Sequence, residues 1–190
     1  LILERIGTMA GRVWGKKARN REVIMEAAKA LFEREGMERV TFNDIAEEAG
    51  MSRTTIFNHF PTINDLLLAL AEQEFQSIMD YYVTTRLSGR ELIMAMFNRL
   101  IDDTCDFPVL TTRLISTILI VDSERQTFSK FLDMIEENLD PAFPEEEREE
   151  IAIMLTGNYF GLIGYNFFRH ESFNRSKMKK HFAVLASKIF

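Results

Sequence analysis

Residues 41–60, TFNDIAEEAGMSRTTIFNHF, decide how this chain is read. Thr41 stands before an apolar-periodic run, and Asp44 follows three residues later, the spacing of a capping box. Phe42, Ile45, Ala46 and Ala49 fall on one side of a helix. Gly50 comes next, where a turn needs a residue tolerant of positive φ. Ser52 is placed to cap a second helix. In that helix Ile56 and Phe60 face inward, which leaves Arg53, Thr54, Phe57 and Asn58 on the outside. Pro61 ends it. Two short helices around a tight turn, the second with polar and aromatic side chains on its outer face, have the build of a helix-turn-helix. The second helix of that motif enters the DNA major groove. An inward Phe57 is the competing reading, because Ile56 is its neighbour and a small change of face would bury it.

The pattern T-x-x-D-I-A-x-x-A-G-x-S-x-x-T-x-F-x-H-F, followed by D-L-L, resembles the N-terminal domain of tetracycline-repressor-like (TetR-type) transcriptional regulators. The preceding run REVIMEAAKALFEREG resembles the first helix of that family. Together these cover residues 20 to 70; the rest of the chain matches only in length and helical pattern. The resemblance implies an all-α fold of about nine helices. A three-helix DNA-binding domain with its N-terminal arm (residues 1–62) would precede a helical effector-binding and dimerisation domain (residues 63–190). It implies that Arg53, Thr54 and Phe57 face base edges, with Asn58 on the same outer face. Arginine can pair with guanine, and threonine or phenyl groups can pack on a thymine methyl. Thr41, Ser52, Thr55 and His59 would reach phosphates, which position the protein without specifying sequence. For Thr41 and Ser52 the plainer reading is capping alone. Lys17 and Arg19 stand near the start of the first helix, within reach of a further phosphate or groove. Two departures are visible. The family usually has tyrosine where Phe57 stands, and often lysine where Ile63 stands, so a hydroxyl and a cation are missing.

Composition sets the remaining bounds. Hydrophobic residues make up 46% of 190, enough for a sizeable core. Four prolines and nine glycines suit long helices. The single cysteine, Cys105, excludes an internal disulfide framework and fits a reducing cytoplasm. No apolar run of membrane-spanning length is present, and no membrane partner is expected. The net charge of −6 is unusual for a DNA binder. A basic edge partly offsets it: Arg5, Arg12, Lys16, Lys17, Arg19 and Arg21 against Glu4 and Glu22. That edge can line a duplex contact, or it is a solvated tail.

Beyond the motif the pattern stays helical, without alternating strands or repeats. The first helix is expected from about Ala18 to Glu35, and the caps predict helices opening at Thr62, at Ser88 with Glu91, at Pro108, at Asp122 or Ser123, at Pro144 as first helical residue before its run of glutamates, and at Asn174, the last running to the C-terminus. The middle helices are rich in Phe, Met, Leu and Ile, mostly ordinary core. Family members often hold a small effector there, and aromatic and methionine walls adapt to ligands. Candidate apolar lining residues are Phe75, Met79, Tyr82, Met96, Leu100, Ile115 and Leu119. Candidate polar ones are Arg99, Asp103, Thr104, Arg113, Thr117, Asn158 and Tyr159. Acidic residues favour a cationic effector and arginines an anionic one, and the sequence does not choose. Gly157, Gly161 and Gly164 lie in one helix, and Met178, Phe182, Leu185 and Ile189 repeat at helical spacing in the next. Together they suggest a two-helix face that meets its twin across a two-fold. The competing reading is that the glycines relieve crowding within one subunit or make room for a ligand.

No phosphate-loop, dinucleotide, metalloprotease or serine-hydrolase pattern is present, so no catalytic residue or cofactor is assigned. His59, His170, His181 and Cys105 lack metal-ligand spacing, so no metal site is assigned either. What the resemblance implies is transcriptional regulation: a dimer, most simply a repressor, on a palindromic double-stranded operator, released by a small apolar or amphipathic effector. The alternative is a helical ligand-binding or protein-interaction module that has lost sequence-specific DNA binding, supported by the acidic balance, Phe57 and Ile63.

Overall fold

The computed structural model describes the backbone of residues 15–120 and 122–190 and the side chains of residues 15–116 and 129–190. Among them there are nine helices and no strand: α1 Lys16–Glu35, α2 Phe42–Glu48, α3 Arg53–His59, α4 Ile63–Thr84, α5 Gly89–Asp106, α6 Pro108–Ile120, α7 Asp122–Glu137, α8 Glu145–Phe168 and α9 Arg175–Ala186. The chain divides between Ile63 and Asn64 into two compact units. Arg5 and Arg12 of the basic edge lie outside the described residues.

The first unit is held by one apolar stripe from each helix. Ile24, Ala28, Leu31 and Phe32 of α1 are buried with Ile45 and Ala46 of α2, Ile56 of α3, and Phe60. α1 begins at Lys16, two residues before the expected Ala18, behind Gly15, which gives no side-chain cap. No cap therefore marks that boundary in the sequence. Gly36 stops α1 at φ 82°, and Gly50 makes the turn between α2 and α3 at φ 63°, backbone that residues with a Cβ rarely adopt. The capping box at Thr41 is complete: the Thr41 backbone N–H donates to Asp44 Oδ2 at 2.7 Å, and the Asp44 N–H donates to Thr41 Oγ1 at 3.4 Å. Ser52 Oγ accepts the N–H of Thr55 at 3.1 Å and opens α3.

The second unit is a helical body around Phe97. The Phe97 ring meets Phe182 at 4.6 Å, Phe131 at 5.5 Å and Tyr159 at 6.1 Å between centroids, which joins α5, α7, α8 and α9. Ion pairs tie α9 to α5 at the surface: Arg175 to Asp102 at 2.9 Å and Asp106 at 2.6 Å, and Lys179 to Asp102 at 2.6 Å. Asn174 caps α9 by accepting the Lys177 N–H at 2.9 Å.

Three boundary expectations need correction. Ser88 occupies the N-cap of α5 but makes no side-chain cap. The first helical N–H, of Gly89, donates instead to Asn138 Oδ1 at 3.3 Å, a partner from the distant end of α7. Pro144 is the N-cap of α8 rather than its first helical residue, with Glu145, Glu146 and Glu147 in the first turn. α9 ends at Ala186, short of the C-terminus. In addition, α8 is long and apolar enough to cross a membrane by length and composition alone, with a window of mean hydropathy 1.2. Its apolar residues are shared between the body core (Ile151, Leu155, Leu162, Ile163) and an outer stripe.

Candidate nucleic-acid interface and body cavity

The outer face of α3 carries Arg53, Thr54, Phe57 and Asn58, all exposed, while Ile56 and Phe60 are fully buried beneath it. Phe57 is 44% exposed, so the inward alternative is wrong for this residue. Its ring stands edge-on to Phe42 of α2 at 5.1 Å and 83°. The Arg53 guanidinium carbon lies 5.5 Å from the centre of the same ring. Phe57 thus braces the arginine on one side and α2 on the other, which narrows the rotamers Arg53 must lose on binding.

The flanking groups are placed less uniformly. Lys17 and Arg19 are exposed in the first turns of α1. The Thr41 hydroxyl is 2.7 Å from Asp44 Oδ2, and these hydrogen bonds hold the Asp44 carboxyl below its usual range. An ionised carboxylate at that distance opposes a phosphate at Thr41. Ser52 and Thr55 share a hydroxyl–hydroxyl bond of 2.9 Å at the N-terminus of α3. His59 is half-buried, its Nδ1 has no hydrogen-bond partner, and burial with the nearby charges of Lys17 and Arg21 lowers its pKa. The neutral ring is therefore favoured there.

One contributor was not singled out from the sequence. Arg21 of α1 donates to the His59 carbonyl at 3.3 Å and stacks 4.2 Å from the Phe60 ring centre. It fastens the C-terminal end of α3 to α1 and so sets the angle at which the outer face is presented. The only hint in the sequence was its membership of the basic edge.

The body contains a partly enclosed cavity of about 100 Å³ among α4, α5, α6, α7 and α8. Of the expected lining residues, Phe75, Leu100, Asp103, Ile115 and Tyr159 line it. Several others do not. Met96 is fully buried in the core. Met79 packs on the core from outside. The Tyr82 hydroxyl donates to Glu137 at 3.3 Å and accepts from Asn138 at 3.2 Å. Arg99 donates to Ser77 Oγ at 2.6 Å and lies over Tyr81. Thr104 is behind the wall, 2.8 Å from the Tyr159 hydroxyl, and Asn158 is not among the lining residues. The side chains of Thr117 and Leu119 lie outside the described residues. The lining also includes Glu74, Phe107, Thr111, Thr156 and Phe160, which sequence reasoning missed. Thr156, a lone hydroxyl in the apolar run IAIMLTG, was the available signal.

The two-helix face also needs correction. Met178 and Phe182 are buried in the body's own core, at 1% and 0% exposure, and are not free to meet a second chain. Leu185 and Ile189 are half-buried against the same core. The exposed stripe on α8 runs instead through Ile153, Gly157, Gly161 and Phe168, and Val184 is exposed on α9. A Cβ at Gly157 or Gly161 would meet nothing within 4 Å, so crowding inside one subunit does not explain these two glycines. At Gly164 a Cβ would touch the Phe168 ring at 3.6 Å, an ordinary contact. Among the described residues no group of three or more His, Cys, Asp or Glu could hold a metal ion.

Comparison with known proteins agrees with this geometry. The sequence profile of the bacterial regulatory proteins, tetR family, matches residues 24–70. A helix-turn-helix-type transcriptional regulator of Staphylococcus aureus strain USA300 is 34% identical over 65 residues, covering 34% of this chain and 33% of that protein. The match thus spans about a third of the length of this curated relative. Solved structures are similar in fold along most of the chain. A transcriptional regulator from Aquifex aeolicus VF5 superposes with a TM-score of 0.69 at 16% identity, covering 90% of this chain and 99% of that one. A TetR transcription regulator from Haloarcula marismortui ATCC 43049 gives 0.68 at 16%, covering 90% and 97%. A protein whose structure gives the molecular basis for control of antibiotic production by bacterial hormones gives 0.67 at 21%, covering 90% and 96%. The N-terminal unit is a TetR-family helix-turn-helix DNA-binding domain, and the body has the helical fold found behind that domain in such regulators.

Proposed function

We propose that this TetR-type chain represses transcription as a homodimer on a two-fold symmetric operator, and that a small molecule in the body cavity releases it. The observation that carries the reading is the outer face of α3, where Arg53, Thr54, Phe57 and Asn58 stand exposed above a fully packed Ile56 and Phe60. Arg53 and Thr54 read base edges, Phe57 offers a ring to a thymine methyl, and Lys17, Arg19 and the Ser52–Thr55 end hold phosphates. Such work places the chain in the cytoplasm, with DNA.

One recognition helix of seven residues reads too few base pairs to find a site in a genome. A two-fold pair reads a palindrome, with half-site centres about 34–36 Å apart. The α8 stripe supports the pairing: two glycines with open space above them and large apolar groups at either end suit close approach of a second α8. Release follows from chain continuity. α4 begins at Ile63, the last residue of the DNA-binding unit, and lines the cavity with Ala71, Glu74, Phe75 and Ile78. A ligand that prefers one placement of α4 biases the spacing of the two reading heads, with a typical coupling of about 1–3 kcal/mol. A protein of similar fold is one whose structure concerns control of antibiotic production by bacterial hormones, which supports control of such a chain by an effector.

The test is a pair of substitutions on selected and random duplexes. Arg53→Ala should weaken the selected site by about 1–3 kcal/mol and relax one base position, with little change on random DNA. Lys17→Ala should weaken both duplexes alike and lower the salt dependence by about one ion. Equal loss on both duplexes for Arg53→Ala would overturn the assignment of base reading to α3.

A further inference from the structure

The cavity's charge is one-sided. Its described lining holds two carboxylates, Glu74 of α4 and Asp103 of α5, and no lysine, arginine or histidine. The remainder is mostly apolar, with Phe75, Phe107, Phe131 and Phe160 among the walls. Asp103 is half-buried, and its carboxyl is pushed up to about 6, first by burial and then by the charge of Glu74. Arg99, whose charge also acts on Asp103, is turned to Ser77 and to the face of Tyr81. An independent observation comes from α8. Thr156 lines the same cavity at 6% exposure, and its Oγ1 has no hydrogen-bond partner. A buried hydroxyl without a partner is costly and is usually explained by something that binds there.

We propose that this cavity takes a small lipophilic organic cation bearing N–H donors, its nitrogen toward Asp103 and Glu74 and its apolar body against the phenylalanine walls. The inference rests on the reading of the cavity as an effector site and names the class of that effector. The Asp103 carboxylate is half-buried in a mostly apolar wall and stands in the field of the Glu74 charge. A cation relieves both penalties at once. An N–H next to the nitrogen can donate to Thr156, and the phenyl faces add attraction for the charge. An anionic ligand meets the two carboxylates and the ring faces with the opposite sign, although the Thr156 hydroxyl can donate to it. A neutral alcohol keeps the apolar contacts and a hydrogen bond but gains no charge attraction.

Three probes with one body and different heads separate these cases: 3-phenylpropylammonium, 3-phenylpropan-1-ol and 3-phenylpropanoate. Calorimetric titration of the full chain at pH 7.5 should give the amine an affinity about 10- to 100-fold above the alcohol, and the carboxylate the weakest. Asp103→Asn with Glu74→Gln should abolish the preference for the amine over the alcohol, with circular dichroism and thermal unfolding showing that the variant is folded. Equal affinities for amine and alcohol, a tighter carboxylate, a preference that survives in the double variant, or no binding of any probe at millimolar concentration would each overturn the assignment. The same probes added to a protein–operator complex keep the two readings apart. If the alcohol or carboxylate binds best and releases DNA, the cation assignment falls and the effector site stands. If the amine binds as expected and DNA stays bound, the cation assignment stands and release through this cavity falls.

Discussion

Asp103→Asn should stabilise the ligand-free protein, and by an amount that grows with pH. The folded protein holds this carboxyl at about 6 against an ordinary value of 3.8, with burial as the larger cause and Glu74 as the next. An acid with a raised folded pKa binds more protons folded than unfolded between those two values. Stability from this group is therefore greatest below about pH 4, falls as pH rises through about 6, and is flat above. At about 1.4 kcal/mol per pH unit the displacement sets an upper bound of about 3 kcal/mol. The carboxyl keeps some contact with water, so screening reduces the expected figure to about 1–2 kcal/mol. Asparagine has nearly the same shape and no charge at either pH. The assay is urea unfolding of wild type and variant at pH 4.5 and 7.5, at one protein concentration because association shifts apparent stability. The stability difference between variant and wild type should be larger at pH 7.5 by about 1–2 kcal/mol, since other titrating groups cancel in the comparison. A difference that is the same at both pH values, or larger at pH 4.5, would refute the account of a strained carboxylate in the cavity wall.

Four further outcomes are expected. Thr41→Ala removes a complete capping box and should lower the stability of the DNA-binding unit by about 0.5–2 kcal/mol, read by thermal unfolding. Arg21→Ala should lower operator affinity although Arg21 is assigned no base, because it fastens the end of α3; a gel shift in which only random-DNA affinity changed would count against this. Gly161→Leu should leave the subunit folded, since a Cβ there meets nothing, yet give a monomer in analytical ultracentrifugation and lose operator binding. Thr156→Val should stabilise the ligand-free body by about 1 kcal/mol, because it removes an unpartnered buried hydroxyl without changing volume much.

Legibility in the sequence followed the range of the interactions. The capping box at Thr41–Asp44 and the side-chain caps at Ser52–Thr55 and Asn174–Lys177 close within three residues, so the chain announces them directly. Ser88 carried the same signal but makes no side-chain cap; the helix start is tied instead through the Gly89 N–H to Asn138, 49 residues away, a partner that no local spacing announces. Helical spacing correctly grouped Met178 with Phe182, but spacing cannot say whether a stripe meets its own core or another chain. Phe97 settles that question here by stacking on Phe182. The same limit separated Phe75, on the cavity, from Met96, sealed in the core: both are large apolar residues on amphipathic helices. The polar lining was the least legible part. Glu74 looks like any surface acid in its helix, and only the meeting of α4, α5 and α8 puts it beside Asp103 and Thr156.

The most direct test of the central claim is selection of bound duplexes from a random library with the full chain, followed by the stoichiometry of the selected complex. The account predicts enrichment of an inverted repeat with half-site centres about one helical turn, or a multiple of it, apart, bound by an even number of chains. It predicts that Arg53→Ala relaxes the same base position in both halves. No enrichment over random duplex, or an asymmetric site bound by a single chain, would contradict it.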